Sequence, residues 1–130
     1  MALGYSTTLR NNQLDQITSL AGTSATLKIY DGTRPATGGT VTTLLVTLTC
    51  NATAFAPAAS AGVLTLNAIT SGTAVATATA TWFRIASSGA TFVMDGSVGT
   101  SGADLNLSTT SIVSGATVSI SSATITAGNA

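Results

Sequence analysis

The residues able to do chemistry are few. The chain of 130 residues has no His and no Glu, so the usual serine and cysteine triads lose their base and most zinc sites lose a ligand. Paired carboxylates could come only from Asp15, Asp31, Asp95 and Asp104, and nothing in their spacing predicts that they converge. Asp95 and Asp104 flank a glycine-rich stretch that could offer oxygens to Ca²⁺, but it has no EF-hand or repeat spacing. The run Gly99-Thr-Ser-Gly102 resembles a phosphate cradle only in its glycines, because no Lys follows it. The sequons at Asn51 and Asn106 lack a secretory context, and the lone Cys50, closing an apolar strand, reads as a small buried thiol. These residues predict no catalytic, cofactor or metal site and no enzyme.

What stands out instead is the stretch Thr79 to Gly96, which holds the single Trp, two of the three Phe, and the charged residues Arg84 and Asp95. Two strand-like runs meet at Ser87-Ser88-Gly89-Ala90, predicting a hairpin with Ile85 opposite Phe92, Phe83 opposite Met94, Arg84 opposite Val93 and Trp82 opposite Asp95. Side chains alternate across a strand, so Phe83, Ile85, Phe92 and Met94 form the core face. Trp82, Arg84, Val93 and Asp95 share the other, with Arg84 and Asp95 as diagonal neighbours. A large aromatic beside a possible ion pair suits either a second buried layer or an interface, where Trp and Arg are enriched.

The elements around this hairpin follow from pattern and turn chemistry. Ser6, Thr7 or Thr8 can cap a short helix that carries Leu9, Leu14, Ile17 and Leu20 at roughly helical spacing and stops at Gly22, with Arg10, Asn11, Asn12, Asp15 and Gln16 on its polar side. An isolated helix of this length is marginal, so it must lie against the β-domain or a neighbouring subunit. From residue 24 onward the pattern is all-β. Residues 25–30 form a strand with Leu27 and Ile29 on one face and Lys28 and Tyr30 on the other. The loop of residues 31–40 follows, and Arg34 within it is either a contact residue or a solvated loop arginine. Residues 41–50 read as the most hydrophobic strand, central or covered on both faces. Residues 51–61 make a small-residue connection in which Pro57 disfavours a central strand. Strands follow at 62–69 and 74–86, the latter with Ala76, Ala78 and Ala80 preceding Trp82 on one face. A short strand ends at Leu107, Ile112 and Val113 precede another turn, and the last strand, 117–126, changes phase, so that a bulge near Ser121 and Ser122 would keep Val118, Ile120, Ala123 and Ile125 all inward. The reading is an all-β chain: an antiparallel β-sandwich or barrel-like domain over residues 24–130, with an N-terminal arm and one short helix over residues 1–23.

Composition narrows the classes of partner. Only 6% of residues are charged, against about 25% in average soluble domains, and the net charge is zero. Arg10, Lys28, Arg34 and Arg84 are too few and scattered to neutralise a phosphate backbone, which argues against nucleic acid. No apolar run approaches the ~20 residues of a membrane span, and the first residues lack a secretory signal pattern, so synthesis in a cytoplasm is expected. With 45% hydrophobic residues and no charge excess, the chain reads as folded, with a surface suited to self-association or burial in an assembly.

The segments IYDGTRPATGGT, TWFRI, DGSVGTSGADLNL and IVSGATVSISSATITAGNA, with the short helix before them, resemble a family of small virion structural proteins of tailed bacteriophages and prophages. The resemblance covers the whole chain and is extended rather than built on catalytic motifs. It implies a β-domain present in many copies on the particle: a capsid decoration or cement protein on the capsid surface, binding the major capsid protein, often as a trimer with an N-terminal arm gripping the shell. Contacts are then expected from Leu9, Leu14 and Ile17 on the helix, and from Arg34, Trp82 and Arg84. Alternatives are a tail, neck or fibre component, or a carbohydrate-binding module using Tyr5, Tyr30 or Trp82.

Overall fold

The computed structural model describes residues 4–50, 59–67 and 69–126; the sequon at Asn51 and Pro57 lie outside the described residues. One helix, α1 (Thr7–Ala21), is followed by strands β1 (Thr26–Tyr30), β2 (Leu44–Thr49), β3 (Val63–Thr65), β4 (Gly72–Thr73), β5 (Ala78–Thr79), β6 (Trp82–Ala86), β7 (Phe92–Gly99), β8 (Leu105–Leu107), β9 (Ser111–Ile112), β10 (Thr117–Val118) and β11 (Ile120–Thr126). Seven strands form one sheet in the order β2-β1-β6-β7-β8-β11-β3, while β4 with β10 and β5 with β9 form two-stranded ribbons. The β4–β10 ribbon links the two sides of the large sheet. β10 runs into β11, its partner β4 lies against β2, and Val75 N–H donates to Leu45 O at 2.8 Å. The all-β reading with a short N-terminal helix holds, and the arrangement is barrel-like.

One pair departs from the antiparallel expectation. β7 and β8 are parallel, Val98 beside Leu105, although only residues 100–104 join them, far fewer than the dozen or so residues of an ordinary crossover. The link is pinned in place by Asp104, whose Oδ2 accepts from Ser97 N–H at 2.9 Å while its own N–H donates to Ser97 Oγ at 3.1 Å.

The core lies on one face of the large sheet. Cross-strand partners Leu27, Ile85 and Leu48 stack beside Ile29, Phe83 and Val46, all at most 2% exposed. Burying each large apolar side chain is worth about 1.5–3 kcal/mol. β2 is not covered on both faces as expected. It sits at one end of the sheet order, and Thr47 and Thr49 alternate outward between buried Val46, Leu48 and Cys50. The long strand expected over 74–86 breaks at Ala80 and Thr81: Ala80 N–H donates to Thr110 O, but Thr81 N–H turns to Tyr30 O. Ala76, Ala78 and Ala80 therefore pack with the main core, and the alanine ladder does not continue into Trp82, which lies outside it. At the far end, the expected bulge is present between Ile120 and Ser122, and Val118, Ile120, Ala123 and Ile125 all pack inward.

Ser6 caps α1 by accepting from Leu9 N–H at 3.1 Å, and Gly22, at φ +65°, ends it. The helix lies against the β-domain, and its polar side does much of the docking. Asp15 Oδ1 accepts from Ala59 N–H at 2.7 Å and Asn11 Oδ1 from Gly62 N–H at 2.9 Å. The receiving turn is tight: Ser60 and Val63 exchange both backbone hydrogen bonds, with Ala61 and Gly62 at positive φ. Arg10 covers Gly62 so closely that a Cβ there would meet its Nη1 at 2.5 Å. Arg10, Asn11 and Asp15 thus face inward, while of the expected apolar side only Leu14 is buried and Ile17 half-buried. Leu9 and Leu20 are 43% and 64% exposed.

Candidate functional site

The residues singled out in sequence gather on the outer face of β1, β6 and β7. The pairing of β1 with β6 sets Tyr30 beside Trp82 and Lys28 beside Arg84, and the pairing of β6 with β7 sets Arg84 directly opposite Asp95. The hairpin register is thus displaced from the expected one. Its loop runs from Ser87 to Thr91, closed by Ser87 N–H to Thr91 O at 2.9 Å, and a bulge lies between Ile85 and Ala86. Ile85 therefore faces Met94 and Phe83 faces Gly96, and the extra residue turns Phe92 off the core face. Phe92 is 36% exposed and packs on the outer face with Arg84.

Trp82 is fully covered. Its ring stacks on Tyr30 with centroids 4.4 Å apart, and its Nε1–H is shared between Asp31 O and Thr42 Oγ1, each at 3.0 Å. At 1% exposure it is a second buried layer, and its contacts lie inside the chain. Those acceptors belong to residues 31–43, a strap laid across the sheet. Thr43 N–H donates to Asp31 Oδ1 at 3.0 Å, and Arg84 Nη2 donates to Gly39 O at 3.0 Å. Gly38 N–H reaches Asp95 Oδ2 at 3.4 Å, with the Phe92 ring against Gly38.

Arg84 and Asp95 form a bidentate pair, Nε to Oδ1 at 2.7 Å and Nη2 to Oδ2 at 2.9 Å. The guanidinium also sits 5.4 Å from the Trp82 ring centre and 5.1 Å from that of Phe92. The hydrogen bond to Asp95 raises the pKa of Arg84 further, against the opposing effect of burial. Burial raises that of Tyr30, partly offset by Arg84. Burial alone pushes the Cys50 thiol from 9.0 up to about 11, as fits an inert core cysteine.

The other candidates are dispersed. Arg34 is exposed on the strap and lines a surface groove of about 400 Å³ with Thr37, Phe92 and Asp95. Leu9 is exposed on α1, Leu14 is buried beneath it and Ile17 is half-buried. The four carboxylates do not converge: Asp15 holds Ala59, Asp31 holds Thr43, Asp95 holds Arg84, and Asp104 holds Ser97. Sequence reasoning missed Phe92 as a surface residue and Lys28 as the neighbour of Arg84. The second had half a signal, since Lys28 and Tyr30 share a parity, but the non-local pairing of β1 with β6 leaves no local mark.

Compared with known proteins, the chain matches no family model, and neither a curated protein nor a solved structure matches it significantly.

Proposed function

We propose that the protein is a structural component of a tailed-bacteriophage virion: a capsid decoration protein that binds the major capsid protein in many copies, as a homotrimer, and stabilises the head. The whole-chain sequence resemblance suggests the family. The observation that carries the reading is that each of the four carboxylates accepts a hydrogen bond from its own chain. Held this way, the acids serve the fold, and the outward-facing groups are mostly Thr, Ser, Gly and Ala. Such a surface packs closely with few charges to desolvate, and repetition around a shell turns weak single contacts into strong attachment.

The contact residues expected from sequence change in one respect. Leu14, Ile17 and Trp82 are engaged within the chain, so on this reading the helix meets the shell through Leu9 and Leu20. Tyr30 and Trp82 cover each other beneath the strap, which weighs against their use as sugar-stacking platforms. The test is cryo-electron microscopy of the particle, together with rebinding of Leu9→Asp/Leu20→Asp protein to capsids stripped of the chain. Density on the head at capsomer junctions and loss of rebinding by a still-folded variant are expected. Density confined to a tail or neck, or rebinding unaffected by the variant, would overturn the capsid assignment or the helix contact respectively.

A further inference from the structure

Lys28 stands directly across from Arg84 on paired strands, an arrangement of like charges that is unfavourable unless an anion answers it. Arg84 is answered by Asp95. Lys28 makes no salt bridge among the described residues. The two line an open groove of about 370 Å³ on the outer face of the sheet, beside the strap, with Thr26, Tyr30, Ser87 and Ser88 also in its walls. That volume is in the range of small-ligand sites.

The lining is rich in donors. Of the five N–H groups of Arg84, those on Nε and Nη2 serve Asp95 and Gly39 O, leaving Nη1 without a hydrogen-bond partner among the described residues. The Tyr30 hydroxyl has none either, and a phenol is a hydrogen-bond donor at neutral pH. Thr26, Ser87 and Ser88 add hydroxyls, and Asp95, the carboxylate beside the groove, is committed to Arg84. Two cations against one carboxylate leave a single net positive charge, which matches a monoanion better than a dianion such as sulfate.

We propose that this groove is an oxyanion site that takes a carboxylate, held by the Lys28 ammonium with Arg84 Nη1 and the groove hydroxyls completing its hydrogen bonds. The inference does not depend on the virion assignment, and its test uses the isolated chain.

The test is a ¹⁵N–¹H correlation titration of the full chain with sodium acetate replacing sodium chloride at constant ionic strength. Saturable shifts are expected at the amides of Lys28, Arg84, Ser87 and Ser88, with a midpoint on the order of 1–10 mM, in the weak range proper to so small a ligand. Lys28→Gln is expected to weaken binding at least about tenfold, one such step being a single strong polar contact. Arg34→Gln, on the other groove, should leave it unchanged. Lys28→Glu places a carboxylate in the groove from within and should abolish the response, a check that survives if the Gln variant folds poorly. Glucuronate and N-acetylglutamate amide are run in parallel: tighter binding of the first assigns a sugar acid, and of the second an acidic side chain. Shifts that stay linear, a response unchanged in Lys28→Gln or Lys28→Glu, or sulfate saturating the same amides more tightly than acetate would overturn the proposal.

Discussion

Asp95→Asn is the most informative single change to the strapped face. It keeps the shape of the side chain but removes the charge that answers Arg84 through bonds of 2.7 and 2.9 Å. The two side chains are 14% and 6% exposed, so solvent can replace little of what is lost. Breaking a fully buried pair on one side costs about 3–5 kcal/mol. Here the remaining exposure, the bond to Gly39 O and the two aromatic rings around the guanidinium soften the loss, giving an expected cost of about 2–3 kcal/mol. At roughly 3–5 °C per kcal/mol for a domain of this size, the melting temperature should fall by about 6–15 °C. Urea unfolding followed by circular dichroism measures the cost. The strap amides near Gly38 should also exchange faster, because their anchor on Asp95 is weakened. A double-mutant cycle is formed by Arg84→Met, Asp95→Leu and the double variant Arg84→Met/Asp95→Leu. Because the double variant leaves no uncompensated charge, it should recover to within about 1.5 kcal/mol of the parent. A cost below about 1 kcal/mol for Asp95→Asn, or a double variant as unstable as the sum of its parts, would show that the pair is a surface ornament and the burial argument wrong.

Trp82→Phe keeps the stack on Tyr30 but deletes the indole N–H that Asp31 O and Thr42 Oγ1 share, and should cost about 1–2 kcal/mol in the same unfolding assay. Asp15→Ala removes the acceptor for Ala59 N–H and should cost about 1–3 kcal/mol, seen as earlier loss of helical signal on heating, whereas Leu20→Asp on the exposed edge of the same helix should stay within about 0.5 kcal/mol. The Cys50 thiol ionises near 9.0 when the chain is unfolded and near 11 when folded, so the unfolded state loses its proton first. Stability is therefore complete below pH 9 and declines as pH rises toward 11, by up to about 2 kcal/mol, with Tyr30 acting in the same direction; melts across that range should show the decline, and Cys50→Ala should reduce it to the Tyr30 part.

Local marks carried much of the fold. Ser6 and Gly22 bound the helix, and the parity change between Ile120 and Ala123 disclosed a bulge because four apolar residues on mixed parity can face one core only if the ladder slips. The same reasoning failed at Phe92, where a loop one residue longer and a bulge at Ala86 turned an apolar ring outward. No parity conflict announced it, since Phe92 and Met94 already alternate as a strand should. The site was less legible than the fold. Trp82, Arg84 and Asp95 drew notice by type, but their partners Tyr30, Thr42 and Gly39 come from elements 40 to 52 residues away, and such pairings depend on global closure rather than on any local pattern. The helix shows the opposite error: with two apolar residues outside and three polar ones inside, hydrogen bonds to a tight turn overrode the apolar stripe.

A zero net charge conceals an asymmetry that links the structural reading to the groove. All four acids accept hydrogen bonds from the chain itself, and among the four cations Arg84 is paired and Arg10 is folded over Gly62. Of the three cations outside that ion pair, Lys28 and Arg34 stand beside the strapped face, each lining its own groove. Asp15, Asp31 and Asp104 keep their negative charge, since a backbone N–H does not neutralise a carboxylate, but on a surface so poor in charge a cation still dominates the field close to it. A partner seated on this face should therefore present carboxylates, while one seated on the exposed edge of α1 should present apolar side chains to Leu9 and Leu20. The two surfaces are separable by salt: binding through the strapped face should weaken as ionic strength rises, whereas binding through the helix edge should not.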